Sequence, residues 1–131
     1  MKYFIKIIIL LISVSVSIQS FAQEDKNGPK IKFEEQQFDF GDVKQGEKLS
    51  HKFAFKNNGN EPLILNNVLT TCGCTVTEWP KDPIQPGKSG EIEVKFNTAG
   101  RMGKQNKVVT VISNAVSPQT RIKIVANITE S

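Results

Sequence analysis

Cysteine, histidine, tryptophan and tyrosine are scarce in this sequence. Its 131 residues include two cysteines, one histidine, one tryptophan and one tyrosine. Two cysteines exclude a miniprotein held together by several disulfides, so the fold must depend on an apolar core. A single histidine, with no serine at a strand-to-helix turn, gives no basis for a hydrolytic triad. We therefore expect no enzymatic activity.

An excess of one charge is also lacking. The 17 Lys and Arg residues are scattered among 13 Asp and Glu residues, and the formal net charge is +4. Loss of Lys2 and Lys6 with an N-terminal leader would lower this charge from +4 to +2. No basic block and no basic stripe interleaved with aromatics is present, so nucleic acid is not an expected partner.

The apolar run near the N-terminus is short. Residues 7–12 are continuously apolar, but serines interrupt the pattern from residue 13 onwards, whereas a membrane-spanning helix needs about 20 apolar residues. Lys2 and Lys6 precede the run, and Ser20-Phe21-Ala22 follows it as a small-x-small cleavage pattern. We predict a signal peptide at residues 1–22, export to the periplasm or the cell exterior, and no membrane span after cleavage.

The remaining chain has room for one domain. Residues 23–30 are polar, contain Gly28 and Pro29, and lack periodicity, which predicts a flexible linker. The domain is predicted at residues 31–129.

Within that domain, short segments alternate apolar and polar residues, and no segment has the 3.6-residue period of an amphipathic helix. The series Leu49, His51, Phe53, Phe55 is the clearest strand signal, and the prolines at 80, 83 and 86 indicate a linker on the surface. Around residue 64 the expected core positions are Leu63, Leu65 or Ile64, and Val68. About seven strands are predicted, at residues 31–33, 38–40, 49–55, 63–69, 92–96, 108–112 and 122–128. Their spacing predicts an all-β, immunoglobulin-like β-sandwich, with a small open barrel as the alternative.

Four local patterns carry a family resemblance. They are Phe38-Asp39-Phe40-Gly41-Asp42-Val43, Asn57-Asn58-Gly59, Thr71-Cys72-Gly73-Cys74-Thr75 and Ile84-Gln85-Pro86-Gly87. Together they resemble a bacterial family of secreted proteins catalogued as domain of unknown function 1573. The resemblance covers residues 31 to about 128 and implies a sandwich of the hydin and major-sperm-protein type. It implies no activity and no catalytic residue.

The Cys72-Gly73-Cys74 motif is the chief candidate site. In an extended segment its two sulfurs point to the same side, and three roles are open. A disulfide between them closes a very small ring and suits thiol exchange, although no basic residue lies nearby in the sequence. Two thiolates suit a soft ion such as Cu(I). Two buried side chains, reduced or joined, also suit simple packing, which is the role we favour.

Other candidates have ordinary structural explanations. His51 and Met102 are the residues that would complete a metal site, but His51 belongs to a strand and Met102 to a glycine-rich loop. Trp79 is expected to cover one end of the core. Asp39, Asp42 and Glu47 lack the spacing of a calcium loop and are expected at turns and on the surface.

Two functions are consistent with the sequence. The first is a non-enzymatic module that binds protein or an envelope polymer through a loop end or an exposed sheet edge. The second is a thiol-dependent role of Cys72 and Cys74, in metal binding or in disulfide exchange. The sequence does not determine the partner or the oligomeric state.

Overall fold

The computed structural model describes residues 27–131. The predicted signal peptide and residues 23–26 of the predicted linker lie outside the described residues. Eight strands form two four-stranded sheets. They are β1 (Ile31–Phe33), β2 (Gln37–Lys44), β3 (Lys48–Asn57), β4 (Leu65–Thr70), β5 (Thr75–Glu78), β6 (Ser89–Asn97), β7 (Gly103–Ser113) and β8 (Gln119–Thr129). This confirms the all-β, immunoglobulin-like prediction.

The first sheet has the order β1-β3-β6-β5, and the second has the order β2-β8-β7-β4. All neighbouring strands are antiparallel except β2 and β8, which are parallel. Strands β1 and β2 are therefore edges at one side of the sandwich. Strands β4 and β5 are edges at the other side, in different sheets.

The core lies between the two sheets and is supplied mainly by alternate residues of the four central strands. In the first sheet Phe53 pairs with Ile92, and both are fully buried. In the second sheet Val109 pairs with Ile122, and both are again fully buried. At the edge, Leu63, Leu65 and Val68 are buried as predicted, whereas Ile64 is exposed.

Two sequence predictions need correction: one strand was missed, and the end of the linker was misplaced. Strand β5 was not predicted, because its four residues directly follow the cysteine motif and precede the proline-rich linker. The last part of the predicted flexible linker, residues 27–30, belongs to the packed domain: Gly28 and Pro29 are buried. The Asn60 N–H donates to the Gly28 carbonyl, and the Val116 N–H donates to the Pro29 carbonyl.

Within residues 27–131, no helix is long and apolar enough to cross a membrane.

Asn57 fixes the end of the sandwich opposite the cysteine motif. Its side chain is fully buried, and its Nδ2 donates to the carbonyls of Glu61 at 2.7 Å and Ile84 at 2.9 Å. Its Oδ1 accepts from the backbone N–H groups of Lys30 and Gly59. One amide thus holds the start of the domain, the β3–β4 turn and the linker before β6 together.

We predict that Asn57→Ala lowers the free energy of unfolding by about 3 kcal/mol, because it leaves several buried backbone groups without partners. Urea unfolding followed by tryptophan fluorescence measures this loss. Asn58→Ala is the matched control, since Asn58 is exposed, and its expected change is within about 0.5 kcal/mol. Equal effects of the two substitutions would contradict the role given to Asn57.

Candidate functional site

The cysteine motif forms the crossover between the two sheets. Strand β4 ends at Thr70 on the edge of one sheet, and β5 begins at Thr75 on the edge of the other. Residues 71–74 make the connection. These residues join edge strands of two different sheets and belong to no strand themselves. The motif therefore lies at the surface, along the side of the sandwich.

Within the crossover, Cys72 and Cys74 are joined by a disulfide, and both side chains are half-buried. Gly73 is exposed between them, and a Cβ there would meet no atom within 4 Å apart from those of its two chain neighbours. The closed ring therefore sits on the surface, with part of each cysteine accessible.

Hydrogen bonds fix the backbone of the crossover. The Cys72 carbonyl accepts from the Thr70 hydroxyl and from the Thr75 N–H, each at 3.2 Å. The Cys74 carbonyl accepts from the Asn97 N–H at 3.1 Å. The two sulfurs are thereby held at a defined place against β6.

A guanidinium group contacts one of the sulfurs. Arg101 Nη2 lies 3.5 Å from Cys72 Sγ, and the Cys74 N–H lies 3.3 Å from the same sulfur. Sequence reasoning missed Arg101, which lies 29 residues from Cys72. No local pattern indicates it, because the contact depends on how the β6–β7 loop folds over the crossover.

Thr98 holds that loop in place. It is fully buried, and its hydroxyl donates to the Glu47 carbonyl at 2.7 Å and accepts from the Gly46 N–H at 2.9 Å. Its carbonyl accepts from the Arg101 N–H at 3.0 Å. The Arg101 carbonyl in turn accepts from Gln45 Nε2. The backbone of Arg101 is therefore anchored independently of its guanidinium group.

A cleft of about 290 Å³ opens beside the second cysteine on the outer face of the first sheet. Cys74 lines it, but Cys72 does not. The other lining residues are Lys48, Leu49, Ser50, Val76, Lys95, Phe96 and Asn97. Of the two cysteines, Cys74 is thus the one that borders the cleft.

Lys95 at this cleft is paired with Glu78, at 3.2 Å. The hydrogen bond that Lys95 donates to Glu78, and the negative charge of Glu78 and then of Glu93, raise the pKa of Lys95 above its ordinary value. Lys95 therefore stays charged at the rim of the cleft.

His51 lies in β3, and Met102 lies in the loop between β6 and β7. The His51 ring stacks on Phe38, with 3.7 Å between ring centroids, and its Nε2 contacts the Glu35 carboxylate. Met102 is an exposed loop residue. Among residues 27–131, no three His, Cys, Asp or Glu side chains are grouped as metal ligands.

Trp79 packs against the core as expected of a cover. It is partly buried, and the Lys81 ammonium lies 2.9 Å from the centroid of its ring. The predicted surface carboxylates serve local structure: Asp39 accepts from the Gly41 N–H, and Asp42 accepts from Asn127 Nδ2. All of these groups lie apart from the contacts made by the disulfide.

The sequence model of one protein family, described as protein of unknown function (DUF1573), matches residues 31–128. The chain belongs to this family. The match includes the cysteine crossover, β5 and the loop that carries Arg101. No curated protein sequence matches the chain.

Solved structures share the fold. A protein of unknown function from Porphyromonas gingivalis W83 has 21% identity and a TM-score of 0.68, over 81% of this chain and 50% of its own. The PapD-like domain 7 of human CEP192 has 10% identity and a TM-score of 0.64, over 78% and 87%. The secreted serine protease VesC from Vibrio cholerae has 17% identity and a TM-score of 0.58, over 77% and 23%. The chain thus spans half of the Porphyromonas protein and under a quarter of VesC.

We predict that the double variant Cys72→Ser/Cys74→Ser keeps the fold and loses at most about 2 kcal/mol of unfolding free energy, because the disulfide closes a loop of only three residues. Thermal and urea unfolding, with circular dichroism as the probe, measure the loss. The control is the wild-type protein before and after reduction. Unfolding of the double variant at 25 °C would show that the disulfide is required for the sandwich.

Proposed function

We propose that this chain is a non-enzymatic binding module that receives an extended segment of a partner protein along the free edge of β4. The observation that carries the proposal is the composition of that edge. The six residues Leu65–Thr70 include no charged residue and no proline. Soluble proteins usually protect a sheet edge with such residues, because an open edge can pair with another chain.

The other three edges are better protected. Strand β1 has three residues and includes Lys32. Strand β2 carries three charged residues, Asp39, Asp42 and Lys44. Both β2 and β4 have a shift of register, so the charges are what distinguish the two edges. Strand β5 has four residues and ends at Glu78. Among the described strands, β4 is therefore the edge best suited to strand addition.

An exposed apolar side chain on β4 supports the same edge. Leu69 is 46% exposed on the outer face of the second sheet, whereas Val76 lies on the outer face of the first sheet. In strand addition the backbone hydrogen bonds give affinity, and contacts with alternate side chains give specificity. We expect an uncharged segment with an apolar residue that covers Leu69.

We also propose that the chain works after export, in the periplasm or outside the cell. The basis is the predicted signal peptide at residues 1–22. Cell fractionation and the N-terminal sequence of the mature protein test this, and a chain that retains Lys2 and Lys6 in the cytosol would contradict it.

We predict that Leu69→Lys lowers recovery of the cross-linked partner at least tenfold, because an added strand would place a desolvated ammonium against its backbone. Intact cells that make tagged protein are cross-linked, and the cross-links are mapped by mass spectrometry. Val116→Lys is the matched control, since Val116 is an exposed apolar residue outside the strands.

The proposal requires cross-links at residues 65–70 and slower hydrogen exchange of the β4 amides when the identified partner is bound. Equal recovery from the two variants would contradict it. Cross-links that map to β1 or β2, or an envelope polymer as the bound material, would also contradict it.

A further inference from the structure

We propose that the Cys72–Cys74 disulfide is an exchange site that accepts electrons from a pair of cysteine thiols in a peptide or protein, with Cys74 as the attacked sulfur and Cys72 as the leaving group. This goes beyond strand binding and does not depend on it. The basis is the difference between the surroundings of the two sulfurs.

The Cys74 side of the disulfide is the side open to a substrate. Cys74 lines the cleft on the outer face of the first sheet. The one polar side-chain contact of its sulfur is the Thr75 hydroxyl at 3.9 Å. An attacking thiolate can therefore approach Cys74 through the cleft.

The Cys72 sulfur is surrounded by groups that stabilise negative charge. Arg101 Nη2 lies 3.5 Å away and the Cys74 N–H lies 3.3 Å away. A cation beside a sulfur favours its thiolate form, and a thiol that is more stable as thiolate leaves faster. Opening of the disulfide therefore places the new negative charge on Cys72.

The anchoring of Arg101 gives this contact a defined geometry. Its backbone bonds to Thr98 and Gln45 fix the loop on both sides of the peptide group. The guanidinium already lies 3.5 Å from Cys72 Sγ while the disulfide is intact. Preorganised charge of this kind is more effective than charge that must move into place.

The reaction balances within the two partners. A substrate thiolate attacks Cys74 Sγ, forms a mixed disulfide and breaks the bond to Cys72 Sγ, which takes the electron pair as a thiolate. The second substrate thiolate then attacks the substrate sulfur of the mixed disulfide, and Cys74 leaves as a thiolate and takes up a proton. The substrate dithiol becomes a disulfide, and this chain becomes a dithiol. Each molecule of this protein therefore oxidises one substrate dithiol before its own disulfide must be formed again.

The first test locates the mixed disulfide. The purified protein is mixed briefly with reduced glutathione, quenched with acid, and labelled with N-ethylmaleimide. Trypsin releases residues 57–81 as one peptide, and fragmentation at Gly73 separates the two cysteines. We expect glutathione on Cys74 and maleimide on Cys72. Glutathione on Cys72, or a disulfide that does not react in the folded protein, would overturn the proposal.

The second test measures the role of Arg101. We predict that Arg101→Gln slows mixed-disulfide formation about tenfold at pH 7. Reduced Cys72 should also need a higher pH for alkylation by iodoacetamide. Arg101→Lys should restore part of the rate. Arg121→Gln is the matched control, because Arg121 is an exposed residue of β8.

These readouts separate a chemical role from a structural one. We expect the Arg101→Gln variant to keep the melting temperature of the wild type, since the backbone bonds of Arg101 remain. Equal exchange rates for Arg101→Gln and Arg121→Gln would overturn the assignment of Arg101.

A synthetic peptide with two cysteines should yield one peptide disulfide for each protein disulfide lost. Arrest at the mixed disulfide would exclude the transfer. Exchange with glutathione together with equal partner recovery from Leu69→Lys and Val116→Lys would uphold the exchange site and contradict only the β4 proposal.

Discussion

The crossover between the two sheets is the constraint on which the candidate site depends. Packed sheets lie about 10 Å apart, and only residues 71–74 connect the end of β4 to the start of β5. The carbonyls of this connection need donors outside a regular ladder. The Thr70 hydroxyl and the backbone N–H groups of Thr75 and Asn97 supply them. Because those bonds hold the crossover rigid, its cysteines have a fixed orientation at the surface.

Buried polar residues complete both ends of the sandwich. Asn57 and Thr98 are each fully buried, and each replaces the pairing that the strands lose where they enter turns. Most buried polar groups in proteins have hydrogen-bond partners. Both of these residues have theirs, and the bonds hold the turns around each residue in one arrangement. At the cysteine end this arrangement sets the path of the β6–β7 loop. The position of Arg101 thus depends on the hydrogen bonds that Thr98 makes.

Most of the fold could be predicted from residue patterns, whereas the decisive part of the site could not. Period-2 alternation identifies strands such as β3 and β6 because one face of each is buried against the other sheet. Strand β5 gives almost no such signal, since Thr75 is its one buried residue. The contact between Arg101 and Cys72 is harder still. It joins two loops, and loop positions depend on the tertiary hydrogen bonds of Thr98 and Gln45, for which no sequence period exists.

The two proposed surfaces meet at one edge of the molecule. Strand β4 ends two residues before Cys72, and Val76 lies two residues after Cys74. A segment that pairs with β4 along its length therefore ends close to the crossover. Exchange is a bimolecular step whose rate depends on local concentration, and binding nearby raises that concentration without any new contact at the sulfurs. The unprotected edge would then determine which thiols reach Cys74, and Arg101 would determine which sulfur leaves as the thiolate.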